Sequence, residues 1–139
     1  MDKLTVEQRS WNMSRIKGRD TGPEKRVRSL LHRLGFRFSL RRRDLPGRPD
    51  IVLPSRKCVI FVHGCFWHRH RGCRNSVIPK TRPEFWHTKL NKNVERDKRN
   101  AATLEQIGWN VITIWECEIE KESELSEKLM AAITEKYHV

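Results

Sequence analysis

Two apolar runs, Asp50–Leu53 and Cys58–Val62, stand four residues apart with Pro54 and Ser55 turning the chain between them. Each is too short for a helix and too apolar to face water, so the two read as adjacent antiparallel strands, largely buried. A sheet that is apolar on both faces must be covered on both, which narrows the fold to helices packed around a central sheet. Val111–Trp115 reads as a further strand of the same kind, and Phe36–Leu40 as another.

The helices are marked by their ends. Thr21 with Glu24 makes a capping-box pattern, Pro23 sits in the first turn and Gly35 supplies the stop. Between them Val27, Leu30, Leu31 and Leu34 form one apolar stripe at helical spacing. Pro83 opens a long helical stretch to about Ile107, with a bend expected near Asn91–Asn93, and Gly108 ends it. Ser123 to about Lys136 reads as a C-terminal helix, and Thr5 with Gln8 opens another that runs to about Ile16. This order implies one α/β domain over residues 1–139, with a central mixed β-sheet flanked by helices. A chain of 139 residues has room for one modest core.

Lys and Arg total 29 against 17 acids, a formal net charge of +12. Such a surplus favours a polyanionic partner, because each phosphate neutralised releases condensed counterions. Nucleic acid is the class this suits best; acidic membranes and ribosomal RNA share the attraction. No stretch approaches the roughly 20 apolar residues of a membrane span, and no apolar signal core opens the chain, so a cytoplasmic, nucleoid-associated protein of bacterial type is expected. Thiols there stay reduced. Cys58, Cys65, Cys73 and Cys117 are therefore expected as metal ligands or buried residues, not disulfides.

Asp50 is the misplaced charge, a carboxylate at the start of an apolar strand. Burying it there costs several kcal/mol, roughly, unless a cation or hydrogen bonds compensate. Mg²⁺ is a suitable compensator, although an ordinary turn Asp after Pro49 fits the residues equally well. Cys65, His70, Cys73 and Cys117 make a Cys₃His set, whose spacing is not that of a standard zinc finger. From the residues alone, zinc ligation stands beside ordinary buried cysteines, and Cys58 reads as core. Phe66 and Trp67 are consecutive large aromatics that cannot both face one core from a strand, whereas Trp86 reads as a helix core residue.

Pro-Asp, a turn and a second buried strand form the layout of the PD-(D/E)xK, restriction-endonuclease-like core. That core usually draws a second carboxylate and a lysine from its second strand; here Phe61-Val62-His63 has neither. Five blocks in order, Leu45-Pro-Gly-Arg-Pro-Asp50, Val59 through His68, Glu84-Phe-Trp86, Lys92 through Asp97 and Ile114-Trp-Glu-Cys117, resemble the very-short-patch repair endonucleases. The resemblance runs from about Asn12 to Cys117.

Members of that family nick DNA at a thymine–guanine mismatch, such as arises when 5-methylcytosine deaminates. The resemblance implies an Mg-dependent, strand-nicking DNA endonuclease, a monomer acting on mismatched double-stranded DNA ahead of other repair proteins. It implies that Asp50 binds Mg²⁺ with the backbone carbonyl of Val62, where the family usually has Thr. It makes His68 the residue that helps activate the attacking water, with His63 assisting, and Glu24 a nearby acid. Glu24 shares the inward face with Val27 and Leu31, yet it is also the partner the Thr21 capping box expects. A structural Zn²⁺ at Cys65, His70, Cys73 and Cys117 is implied too. The stretch before Cys73 is one residue longer than the usual version, which leaves His68 a competing zinc ligand. Phe66, Trp67 and Trp86 would form an intercalating trio, Lys89 and Asn93 would read the mismatch, and Arg48, with Arg41 to Arg43, would hold phosphates. Met13, within an N-terminal DNA-contacting helix region over residues 1–20, would pack against DNA. Two other readings fit the residues: a zinc-stabilised DNA-binding module without catalysis, and a nuclease of the same fold with another DNA target.

Overall fold

A computed structural model describes residues 21–40 and 42–135 of the chain. The expected helix from Thr5 to Ile16, Met13 with its region 1–20, and Arg41 lie outside the described residues. The described elements run α1 (Gly22–Arg33), β1 (Ile51–Leu53), β2 (Cys58–His63), α2 (Pro83–Gln106), β3 (Asn110–Trp115) and α3 (Glu122–Glu135). Each expected helix here begins and ends within about two residues of its sequence signals.

Both glycine stops work as anticipated. Gly35 takes φ +89, and the Phe36 N–H reaches back to the Leu31 carbonyl at 3.0 Å. Gly108 takes φ +97, with the Trp109 N–H on the Leu104 carbonyl at 3.0 Å. These six-to-one bonds satisfy carbonyls that a helix end leaves orphaned, in backbone that favours glycine. The helix α2 continues through Asn91–Asn93 as one element of 24 residues.

Among the described residues the sheet is mixed and three-stranded, in the order β1-β2-β3. β1 pairs antiparallel with β2, as expected, in the register Ile51↔Ile60. β2 runs parallel to β3 from Cys58↔Asn110 to His63↔Trp115. Phe36–Leu40 departs from expectation, making a single bridge, Ser39↔Val52, in place of a strand. The reason lies in β1, whose three residues alternate the side they offer for hydrogen bonding. Only Val52 faces outward, and its N–H and carbonyl both go to Ser39, at 2.9 and 2.8 Å.

Side chains on the two faces of the sheet build two cores. On one, Ile51, Leu53, Ile60, Ile112 and Ile114 pack with Val27 and Leu31 of α1 and Leu125, Leu129 and Ile133 of α3. On the other, Val52 and Val59 pack with Leu45, Trp109 and Leu104 of α2. Cys58 is buried in the first core, as expected of a structural thiol. The layering leaves the carboxyl ends of β2 and β3 uncovered, where open α/β sheets commonly bind ligands.

Candidate active site

A cleft of about 1700 Å³ opens at that end of the sheet, and Glu24, Asp50, His63, His68 and Asp97 line it. Asp50 precedes β1, and its Oδ2 accepts the Val62 N–H at 2.6 Å. This contact follows from the register: β1 begins against Ile60, so the next residue of β2 facing that edge, Val62, has no strand partner and takes a side chain instead. A strand residue presents its N–H and carbonyl to the same side, so the Val62 carbonyl faces this edge too. Burial pushes the Asp50 carboxyl up to about 6; the Val62 N–H opposes the rise and the Glu24 carboxylate adds to it.

Glu24 reaches the cleft from the first turn of α1. Its backbone N–H is the one that Thr21 Oγ1 caps, at 3.4 Å, while its buried side chain pairs with Arg28 at 3.3 Å. The Thr21 half of the capping box is thus present, and the Glu24 carboxylate lies at the cleft with Arg28. Arg28 was not anticipated as its partner.

From the other face of the sheet come two histidines. His63 ends β2, buried, with its ring stacked on His68 at 3.8 Å and 5° between planes. Burial and the neighbouring His68 hold His63 down to about 4, so it is neutral at physiological pH. His68 Nδ1 lies 2.6 Å from Asp97 Oδ2. Burial alone would raise the Asp97 carboxyl; the hydrogen bond and charge of His68 outweigh it and lower the carboxyl below its usual range. His68 therefore sits with Asp97, apart from the cysteine cluster for which it was a competing ligand.

Asp97 was missed as a site residue, though a signal existed. Leu90, Val94, Asp97, Ala101 and Leu104 form one stripe of α2 at spacings of three and four, and Asp97 is the acid that interrupts it. The same helix is crossed closely by the loop before Asp50. Gly47 takes φ +75, and a Cβ there would come within 2.9 Å of the Asn100 Cβ, so the crossing needs glycine. Arg48 follows at the cleft wall.

Beside the cleft, Cys65, His70, Cys73 and Cys117 each offer a ligand atom, all within 4.8 Å of one another. Cys117 arrives from the end of β3, and its Sγ lies 3.4 Å from His70 Nδ1. Gly72, at φ +73, and Arg69, at φ +51, turn the stretch from Cys65 to Cys73. Burial pushes the Cys65 thiol up to about 12.

The same loop presents rings. Phe66, Trp67 and Trp86 lie 5.1 to 5.9 Å apart between centroids, a mutually edge-on trio with Trp67 40% exposed. Trp86 joins this trio and not a core cluster. The Asn93 amide donates to the Trp67 carbonyl at 3.0 Å, and Lys89 Nζ stands 5.8 Å over the Trp67 ring. Phe85, also exposed, extends the trio from α2 at 5.2 Å from Trp86.

The fold, a mixed sheet flanked by helices, has a solved counterpart. It matches the "Homing Endonuclease I-Bth0305I Catalytic Domain" with a TM-score of 0.61 over 86% of this chain and 100% of that chain, at 20% identity, a likeness of fold. The family described as "DNA mismatch endonuclease Vsr" matches residues 1–75. The type II nicking enzyme V.XorIIP of Xanthomonas oryzae pv. oryzae is 49% identical over 92% of this chain and 93% of its own. The DNA mismatch endonuclease Vsr of Escherichia coli (strain K12) is 47% identical over 97% of this chain and 82% of its own. The chain belongs to the Vsr DNA mismatch endonuclease family, and it is a DNA endonuclease. Among the described residues, no helix is long and apolar enough to cross a membrane.

Proposed function

We propose that this endonuclease nicks one strand of duplex DNA at a thymine–guanine mismatch, using Mg²⁺ at Asp50 and a structural Zn²⁺ at Cys65, His70, Cys73 and Cys117. What carries the reading is a single cleft lined by Asp50, by the Asp97–His68 pair and by Trp67 of the aromatic trio. The names of the relatives, a mismatch endonuclease and a nicking enzyme, support both the substrate and the cutting of one strand.

The donor sets fit both ions. A desolvated carboxylate, with a second carboxylate adding to its discomfort, is the environment that a divalent cation relieves. Asp50 and the Val62 carbonyl would hold Mg²⁺; a backbone ligand makes Val acceptable where relatives of this family usually carry Thr. When bound, Mg²⁺ would polarise the scissile phosphate and offset charge on the leaving oxygen. Three thiols and an imidazole suit tetrahedral zinc, and a buried thiol becomes a thiolate readily only beside a cation.

With Nδ1 tied to Asp97, His68 keeps Nε2 free to take a proton from the attacking water, and Asp97 stabilises the imidazolium that results. His63, neutral and stacked, fixes the plane of His68. Glu24 adds a second negative charge near Asp50. The trio would enter the stack where opening is cheapest, since unstacking costs a few kcal/mol, roughly, and least at a mispair. Lys89 and Asn93, at the base of the trio, suit base edges, and Arg48 at the cleft wall suits a phosphate.

The test is nicking of a duplex carrying one thymine–guanine pair. Cutting should require Mg²⁺, cease with a chelator, and be lost in Asp50→Ala while that variant still binds the duplex. Full activity without added divalent cation, or in Asp50→Ala, contradicts the assignment of Asp50.

A further inference from the structure

Four rings form a continuous column from the Asp97–His68 pair to the cysteine cluster. His68 stacks on His63 at 3.8 Å, His63 meets the edge of Trp115 at 5.2 Å and 74°, and Trp115 stacks on His70 at 4.2 Å and 8°. At one end His68 is held by Asp97; at the other, His70 stands among the cysteines. His63 and Trp115 are direct partners in the parallel ladder, so their side chains rise from the same face of the sheet. Among the described residues, the buried Nδ1 of His63 has no hydrogen-bond partner. Packing against the rings of His68, Trp115 and Phe61 thus orients His63, with Trp115 the wall on the side of the cysteine cluster.

We propose that Trp115 is a positioning residue, which holds His63 against His68 and passes the order of the cysteine cluster to the catalytic histidines. This rests on the roles given above to His63 and His68. A zinc ligand fixed in place would fix His70, His70 the indole, and the indole the imidazole beyond it. An aromatic ring suits the task, because its flat face can stack on one ring while its edge meets another. An aliphatic side chain would fill much of the volume and impose no ring orientation. A displacement of about 1 Å at a group that must meet a water or phosphate can cost about a hundredfold in rate.

The experiment compares Trp115→Leu, Trp115→Met and Trp115→Phe in the full chain, reading zinc content, DNA dissociation constant and single-turnover nicking rate. The aliphatic variants should keep one zinc per chain and bind DNA within about twofold of the unaltered protein, while nicking about tenfold or more slowly. Trp115→Phe should recover most of the rate. An unchanged rate in Leu and Met, a Phe variant as slow as those two, or a loss of DNA binding equal to the loss of rate would overturn the proposal. Aliphatic variants that fail to fold or to hold zinc also overturn it, since Trp115 would then be a core residue. His63→Ala separates the two layers of argument. If His63→Ala nicks normally, the role given to His63 fails; if it is slow and Trp115→Leu is fast, only the positioning role fails.

Discussion

Asp50 pays for its place in the fold. Its carboxyl stands near 6 where 3.8 is ordinary, so the folded state binds its proton more tightly than the unfolded chain. Stability linked to this group is therefore full below about pH 3.8 and is lost as pH rises through about 6. Asp50→Asn, which keeps an acceptor for the Val62 N–H, should stabilise the metal-free protein at pH 7 by about 1–3 kcal/mol and abolish nicking. The stability gain should vanish near pH 4. A melting temperature that falls at pH 7 on this substitution would remove the argument that Asp50 is held under strain for a cation. Asp97 calls for a different test. Asp97→Asn leaves the shape of the side chain but favours the wrong tautomer of His68, and nicking should slow by about 10²- to 10⁴-fold with DNA affinity nearly unchanged. Equal losses in rate and affinity would place Asp97 in binding instead.

At the scale of elements, the helices were legible because their ends carry chemistry: the Thr21 cap, Pro23 and Pro83 in first turns, Gly35 and Gly108 as stops. The sheet was legible from three apolar runs. Phe36–Leu40 was overread, because its pairing depends on how many outward-facing groups β1 can offer, and a three-residue strand offers one residue's worth. The site was legible in part. The resemblance supplied Asp50, His63, His68 and the four metal-type ligands, and the fold gathers the ligands from positions 52 residues apart, Cys65 to Cys117. Trp115 escaped because its meaning is a contact with a neighbouring strand, which spacing along one strand does not display, whereas Arg28, four residues after Glu24, and Asp97, the acid in an apolar stripe, were visible in the helical spacing and were passed over as solvated charge. Cys117→Ser tests the loop as an element. It should drop the bound zinc from one per chain to none, lower stability by several kcal/mol, roughly, and weaken preference for mismatched over matched DNA. Zinc retained in full by the variant would contradict the four-ligand assignment.

The whole molecule combines a strongly basic chain with a cleft that is locally acidic at Asp50 and Glu24 and edged by aromatic rings. The long-range charge draws in any DNA, at an affinity that should fall steeply with added salt. It cannot choose a site, because phosphates are the same everywhere. In the function proposed above, choice comes from the rings of Phe66, Trp67 and Trp86 and from Lys89 and Asn93 beside them, where the cost of opening the stack would differ between a mispair and a matched pair. The central claim is thus that one cleft both opens a mispair and cuts beside it. The direct measurement is single-turnover nicking, in Mg²⁺, of two duplexes that differ only in one thymine–guanine pair replaced by cytosine–guanine. A single nick, in one strand, is expected on the mismatched duplex, with a rate at least about a hundredfold lower on the matched one. Equal rates on both duplexes, or cutting of both strands, would contradict it.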